Sequence, residues 1–114
     1  METEDVIRYA DMFAAMGAGP RLQIMRLLLK AHPDGLVAGE LQAEVGSAAS
    51  TLSHHLEKLR HEELVNVERE GTYLRYRANT DTLRELLGFL YTECCSRTGV
   101  TPPAVMIPLA RKGR

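Results

Sequence analysis

The chain has 114 residues, 45% apolar and 25% charged, which is ordinary usage for one globular domain built on one core; with no Trp and only 5% aromatic residues, Leu, Ile, Val, Met and Ala must fill that core. No apolar run approaches the roughly 20 residues that cross a bilayer, and the start Met1-Glu2-Thr3-Glu4-Asp5 is acidic where a secretion signal is basic, so the reading is a cytoplasmic chain without a membrane partner. A net charge of −1 argues against a uniformly basic nucleic-acid binder, yet Lys58, Arg60, Arg69, Arg75 and Arg77 crowd one stretch and leave room for a local basic face.

Asp5 to Met16 is predicted as a helix with apolar Val6, Ile7, Tyr9, Ala10, Met12, Phe13 and Met16. Gly17-Ala18-Gly19-Pro20 ends it, and Pro20 suits the first turn of a second helix. That helix carries Leu22, Ile24, Met25, Leu27, Leu28 and Leu29, is apolar on most faces, and is expected at the centre of the fold. His32-Pro33-Asp34-Gly35 reads as a turn. Ala38 to Val45 is a short third helix closed by Gly46, and Ser47 is placed to cap a fourth that runs to about Glu62. Its apolar stripe is Leu52, Leu56 and Leu59.

Two alternating runs follow, Leu64–Glu70 and Tyr73–Arg77, joined at Gly71-Thr72 as a β-hairpin. Asp81 to about Arg97 is the last helix. Residues 1–98 are thus read as one domain, and 99–114, with Pro102, Pro103 and Pro108, as a flexible tail. The fold class is mainly α with a β-hairpin wing: two short helices joined by a tight turn and followed by a hairpin make a winged helix-turn-helix.

With Leu52 facing the core and about 100° per residue, Ser50, Thr51, His54, Glu57 and Lys58 fall on the opposite side. Hydroxyls and imidazole on such a face reach base edges in a major groove, and the helix N-terminus offers backbone N–H groups to a phosphate. The bland alternative is a solvated helix face. The hairpin behind it favours double-stranded DNA, since Arg69, Arg75 and Arg77 are suited to phosphates or a minor groove, although ordinary strand-surface charge explains any one of them. The predicted DNA-contacting set is Ser50, Thr51, Ser53, His54, Lys58, Arg69, Arg75 and Arg77. His55, at the edge of the core stripe, is assigned to packing or a backbone hydrogen bond. Paired carboxylates in a cleft, a Gly-rich phosphate loop and a Ser-His-Asp arrangement are all missing, so the chain is read as a non-enzyme; a winged helix serving only protein interaction is the remaining alternative.

The run Ser50-Thr51-Leu52-Ser53-His54-His55-Leu56-Glu57-Lys58-Leu59-Arg60, then Leu64-Val65 and Arg69-Glu70-Gly71-Thr72-Tyr73, resembles the ArsR family of metalloregulatory repressors, and Gly19-Pro20-Arg21-Leu22-Gln23-Ile24 resembles the motif that opens the family's second helix. The resemblance spans roughly residues 8 to 95. It implies a winged-helix homodimer, joined through its first and last helices, that sits on an operator near its own gene and leaves when an inducer binds. The last helix supports dimerisation independently: Leu83, Leu87, Leu90 and Cys94 repeat at four, three, four, and Leu86 and Tyr91 widen the stripe. The expected interface is Met12, Phe13, Leu83, Leu87, Leu90 and Tyr91. One departure is Glu62-Glu63, where the family often has a small residue or Gly before the strand, and only a local change of the turn is expected.

The two cysteines, Cys94 and Cys95, are neighbours and make a poor structural disulfide; in a reducing compartment they are free thiols. Family members sense inducers at different places. Glu40-Leu41-Gln42-Ala43-Glu44 holds no thiol where some arsenic sensors carry a cysteine motif. Asp81 has no His beyond His61 to complete the zinc site that others carry on the last helix. Two adjacent thiolates are soft donors that suit thiophilic ions, and the pair resembles the vicinal cysteines of some arsenite-responsive members. The expectation is a repressor that needs no cofactor to bind DNA and is released by trivalent arsenic, or antimony or a trivalent organoarsenical, at Cys94 and Cys95. The third cysteine those members often have is missing. Thiol oxidation is an alternative, and the plain reading is that Cys94 is a small core residue beside a chance neighbour.

Overall fold

The computed structural model of the chain describes residues 3–95, and side chains as far as Thr92. The side chains of Cys94 and Cys95 and the proposed tail at 99–114 lie outside the described residues. The chain divides into two compact units, one reaching Ala78 and one beginning at Asn79.

The first unit holds α1 (Thr3–Met16), α2 (Gly19–Lys30), β1 (Leu36–Val37), α3 (Ala38–Val45), α4 (Ala49–His61), β2 (Val65–Glu70) and β3 (Tyr73–Ala78). The element order is the one expected, with one addition. The two-residue β1 pairs antiparallel with β3, Leu36 opposite Tyr76 and Val37 opposite Arg75, giving the strand order β1-β3-β2. Two residues are too few to display an alternation, which is why the sequence pattern does not reveal this strand.

The core of this unit collects Met12 and Ala15 from α1, Ile24, Met25 and Leu28 from α2, Leu41 from α3, Leu52, Leu56 and Leu59 from α4, and Leu64, Val65 and Ala78 from the hairpin. Helix α2 packs on α1, α3, α4 and β3, and is central as predicted. It is not buried all round: Leu22 and Leu29, seven residues apart on one face, are 50% and 43% exposed. Met12 needs a correction too. At 1% exposure it is a core residue of its own chain and has no surface to offer a partner, whereas Phe13 stays 40% exposed.

The ends of α4 are set by backbone chemistry. Gly46 closes α3 in the left-handed region, at φ +71°, and donates its N–H to the Gln42 carbonyl at 2.8 Å. The cap of α4 is Ala48, without a side-chain hydrogen bond, so Ser47 does not cap the helix. At the other end the Glu63 N–H reaches the Arg60 carbonyl at 2.9 Å and the Leu64 N–H reaches the Leu59 carbonyl at 3.0 Å. This is a Schellman closure, which wants a left-handed residue just past the cap and an apolar residue after it. Leu64 is fully buried, and Glu63 takes the left-handed position at φ +61°. The Glu62-Glu63 departure is therefore accommodated locally, with a side chain standing where glycine is favoured.

The second unit is described through α5 (Thr80–Cys95). Asn79 caps it, its side-chain oxygen accepting the Thr82 N–H at 3.3 Å. Leu86, expected to widen an outward stripe, is buried at 1% exposure, while Leu87 and Leu90 are 45% and 44% exposed; Leu83 and Tyr91 are half-buried.

Two tests follow from the backbone. Glu63→Gly should raise stability by about 1 kcal/mol, because the left-handed strain of a side chain is relieved, and urea unfolding would read it as a higher midpoint at unchanged slope. Gly35 and Gly71 both have positive φ, +75° and +64°, but a Cβ on Gly35 would lie 2.3 Å from the Tyr76 carbonyl oxygen whereas one on Gly71 meets nothing within 4 Å. Gly71→Ala should cost only the conformational strain, about 1 kcal/mol, and Gly35→Ala clearly more, since it also pushes the 33–35 turn off β3.

Candidate nucleic-acid interface

The stripe Leu52, Leu56 and Leu59 is 0–3% exposed and seats α4 on the core. By rotation alone this turns Ser50, Thr51, Ser53, His54, Glu57 and Lys58 outward, and all six are exposed. The short-chain residues occupy the first turn and a half, the part of a recognition helix that enters a groove. Because Ala48 supplies no side-chain cap, the first N–H groups of α4 stay available to an external acceptor such as a phosphate.

Towards the C-terminal half the face becomes charged. Arg60 pairs with Glu57, and this hydrogen bond holds the Glu57 carboxyl below its ordinary range. Lys58 is exposed and has no carboxylate partner among the described residues. A cleft of about 410 Å³ opens between this half of α4 and α1, lined by Asp11, Arg21, His54, Glu57, Lys58 and His61 among others.

The wing differs from its expected character. Strand β2 is buried only at Val65, so its alternation beyond that point separates two solvated faces. On one face Glu68 and Glu70 meet Arg75 and Arg77: Arg75 Nε lies 2.9 Å from Glu70, Arg77 Nη1 lies 2.6 Å from Glu68, and Arg77 Nη2 lies 3.8 Å from Glu70. The same guanidiniums donate to the 33–35 turn, Arg77 Nε to the Pro33 carbonyl at 3.2 Å and Arg75 Nη1 to those of Asp34 and Gly35 at 3.4 Å. Glu70 holds the Arg75 pKa above its usual value. Two arginines read from sequence as phosphate ligands are thus engaged in a charge-balanced ladder that fastens the wing to the turn before β1. Arg69 is on the other face, exposed, with Nη1 donating to the Gly71 carbonyl at the hairpin tip at 3.3 Å.

Sequence reasoning places His55 correctly at the stripe's edge but misses its partner. His55 is half-buried and its Nδ1 lies 3.4 Å from Arg21 Nη1. No short-range signal links residues so far apart in the chain. Among the described residues no group of three His, Cys, Asp or Glu side chains is arranged to hold a metal ion, and no described helix is long and apolar enough to cross a membrane.

A helix-turn-helix domain family matches residues 19–68, the stretch from the start of α2 into β2. The nodulation protein NolR of Rhizobium meliloti is 34% identical over 87 residues, 76% of this chain and 69% of that protein. The transcriptional regulator KmtR of Mycobacterium tuberculosis is 30% identical over 84 residues, 74% of this chain and 62% of that protein. Among solved structures, NolR of Sinorhizobium fredii superposes with a TM-score of 0.63 at 33% identity, covering 80% of this chain and 87% of that one. HlyU of Vibrio cholerae gives 0.64 at 29%, covering 82% and 97%, and a structure described as reduced HlyU gives 0.62 at 27%, covering 86% and 95%. The fold is shared with the homodimeric winged helix-turn-helix domain Mb0332 of Mycobacterium bovis, a possible ArsR-family regulator, at 23% identity and a TM-score of 0.63, covering 89% and 91%. An outward polar helix over a leucine stripe, a hairpin wing behind it, and relatives that are transcription regulators agree: the chain belongs to the ArsR-type family of winged helix-turn-helix, DNA-binding transcription regulators.

Proposed function

We propose that the chain is a homodimeric repressor that reads operator DNA with α4 and is released when a trivalent arsenical, or antimonite, bridges Cys94 and Cys95. In this reading Ser50, Thr51, Ser53 and His54 face the major groove, and Lys58, Arg69 and the α4 N-terminus take phosphates. Arg75 and Arg77 act indirectly, by holding the wing. Dimerisation uses the apolar surface left uncovered on α1 (Val6, Ile7 and Phe13) and on α5 (Leu87 and Leu90), since isolated chains rarely leave so many large apolar side chains in water.

The observation that carries the effector assignment is that the adjacent residues Cys94 and Cys95 end α5, the helix that bears part of the proposed dimer surface. Neighbours on a helix diverge by about 100°, so one atom bonded to both sulfurs must pull the helix end out of regular geometry. That strain would shift the paired recognition helices relative to one another. Half-sites recur about 34 Å apart along DNA, so a small shift weakens both contacts together. Couplings of this kind are typically about 1–3 kcal/mol, roughly 5–150-fold in affinity. A second reading, thiol oxidation in place of arsenic, is favoured by the likeness to HlyU, for which a form described as reduced has been solved.

Fluorescence anisotropy on DNA from the chain's own promoter tests both. Salt-sensitive binding of the reduced protein, reversed by arsenite, supports the arsenic reading; reversal by phenylarsine oxide alone points to organic arsenicals, and reversal only by peroxide or diamide to oxidation. Cys94→Ser and Cys95→Ser should each keep DNA affinity and lose the response, and release of either variant by arsenite would sink the site. Across a salt series, Lys58→Ala and Arg69→Ala should each lower the slope of log affinity against log salt by about one, whereas Arg77→Ala should weaken binding with little change of slope.

A further inference from the structure

Arg21 stands where three helices meet. It lies in the first turn of α2, donates Nε–H to the carbonyl oxygen of Ala15 near the end of α1, and places Nη1 at 3.4 Å from His55 Nδ1 in the middle of α4. A guanidinium has no acceptor, so Nδ1 must accept. Read as a hydrogen bond, this contact assigns a neutral imidazole with its proton on Nε2. A protonated His55 would carry N–H on both nitrogens, turn a donor towards a donor, and set two cations side by side.

We propose that Arg21 and His55 are positioning residues for DNA recognition, and that the latch they form between α4 and the α1–α2 scaffold holds only while His55 is neutral. This rests on the assignment of α4 as the DNA-reading helix. His55 lies between Leu52 and Leu56 of the seating stripe and is adjacent to outward His54, so the latch fixes the rotation and depth of the residues on either side of it. The leucines bind α4 to the core by contact, which tolerates sliding, whereas a directional hydrogen bond does not.

The surroundings favour the neutral ring. Burial lowers the His55 pKa below its ordinary value, and the nearby cations Arg21, His54 and Lys58 lower it further. Asp11 of α1 lines the first cleft together with Arg21, His54, Glu57, Lys58, His61 and Glu62. Pro20, Gln23 and Ile24 of α2, Val45 of α3, Ser47 of the turn after it and Thr51 of α4, all uncharged, line a second cavity of about 260 Å³ with the ring. No carboxylate is among the groups that perturb His55. The sign is then determined. A histidine whose folded pKa is depressed costs no stability above its unfolded value near 6.5, and the folded state loses stability as pH falls below that value, where the unfolded chain takes up the proton first.

The test is the affinity of the full chain for promoter DNA and for a scrambled duplex of equal length, at pH 7.5 and 5.5 and constant salt. Taking the ratio removes any general change in phosphate attraction with pH, which both duplexes share. The unsubstituted chain should lose at least fivefold of its promoter preference at pH 5.5. His55→Asn, whose amide oxygen takes the place of Nδ1 and can still accept from Arg21 but does not titrate, should keep the preference at pH 7.5 and hold it at pH 5.5. Arg21→Gln should lower the preference at both pH values and flatten its pH dependence; if that variant is unfolded by circular dichroism, the His55→Asn pair decides. A pH dependence in His55→Asn equal to that of the unsubstituted chain would assign the effect to another group and overturn the latch. So would imidazole 13C shifts at pH 7.5 showing the Nδ1–H tautomer, a measurement without DNA. Those shifts keep the latch apart from the DNA reading: the Nε2–H tautomer in a chain that binds neither duplex would mean that the hydrogen bond exists and that the DNA reading has failed.

Discussion

The seating of α4 by Leu52, Leu56 and Leu59 is the constraint on which the rest depends. All three are essentially inaccessible, and truncating one such leucine typically costs about 2–5 kcal/mol, a large part of the stability of a small domain. Because the stripe follows the helical repeat, burying it decides which side chains face outward. The polar face is thus a consequence of core packing. What packing leaves undecided is how far α4 slides or rolls on its leucines, and here the helix ends matter: the left-handed Gly46 before it and the Schellman closure at Glu63-Leu64 behind it.

The wing shows how a chain with net charge −1 can still address a polyanion. A strand pair bearing Arg69, Arg75 and Arg77 looks basic when charges are counted along the chain. Folded, Glu68 and Glu70 neutralise two of the three, and the ladder becomes a brace running from the hairpin to the carbonyls of residues 33–35. The side chains are partly exposed, so each ion pair adds little stability; the brace matters more for direction, because guanidinium donors hold fixed geometry. Among the described residues of α4 and the wing, Lys58 and Arg69 are left without a carboxylate partner, an arrangement that favours positioning over bulk attraction.

Much of this architecture is legible in the order and spacing of residues. The helices of the first unit, the hairpin, its turn at Gly71-Thr72 and the outward face of α4 follow from local rules: apolar spacing, glycine at a positive φ, proline in a first helical turn. Those rules fail where they meet a nonlocal competitor. Ser47 has the chemistry of a cap, but the chain enters α4 through Ala48. Leu86 fits a heptad stripe as well as Leu87 does, and only packing separates a fully buried leucine from one 45% exposed. Met12 and Phe13 are adjacent and both apolar, yet one fills the core and the other faces out.

The sequence by itself determined the secondary-structure order, the leucine stripe and so the outward residues of α4, and the presence of two adjacent thiols, because each depends on residues within a turn or two of one another. Tertiary structure decided which arginines are engaged, that a two-residue strand completes the sheet, and that Arg21 meets His55 across 34 positions of chain. These depend on distances between segments remote in sequence, and no periodicity encodes such a distance; it is set only when the core has brought the helices together.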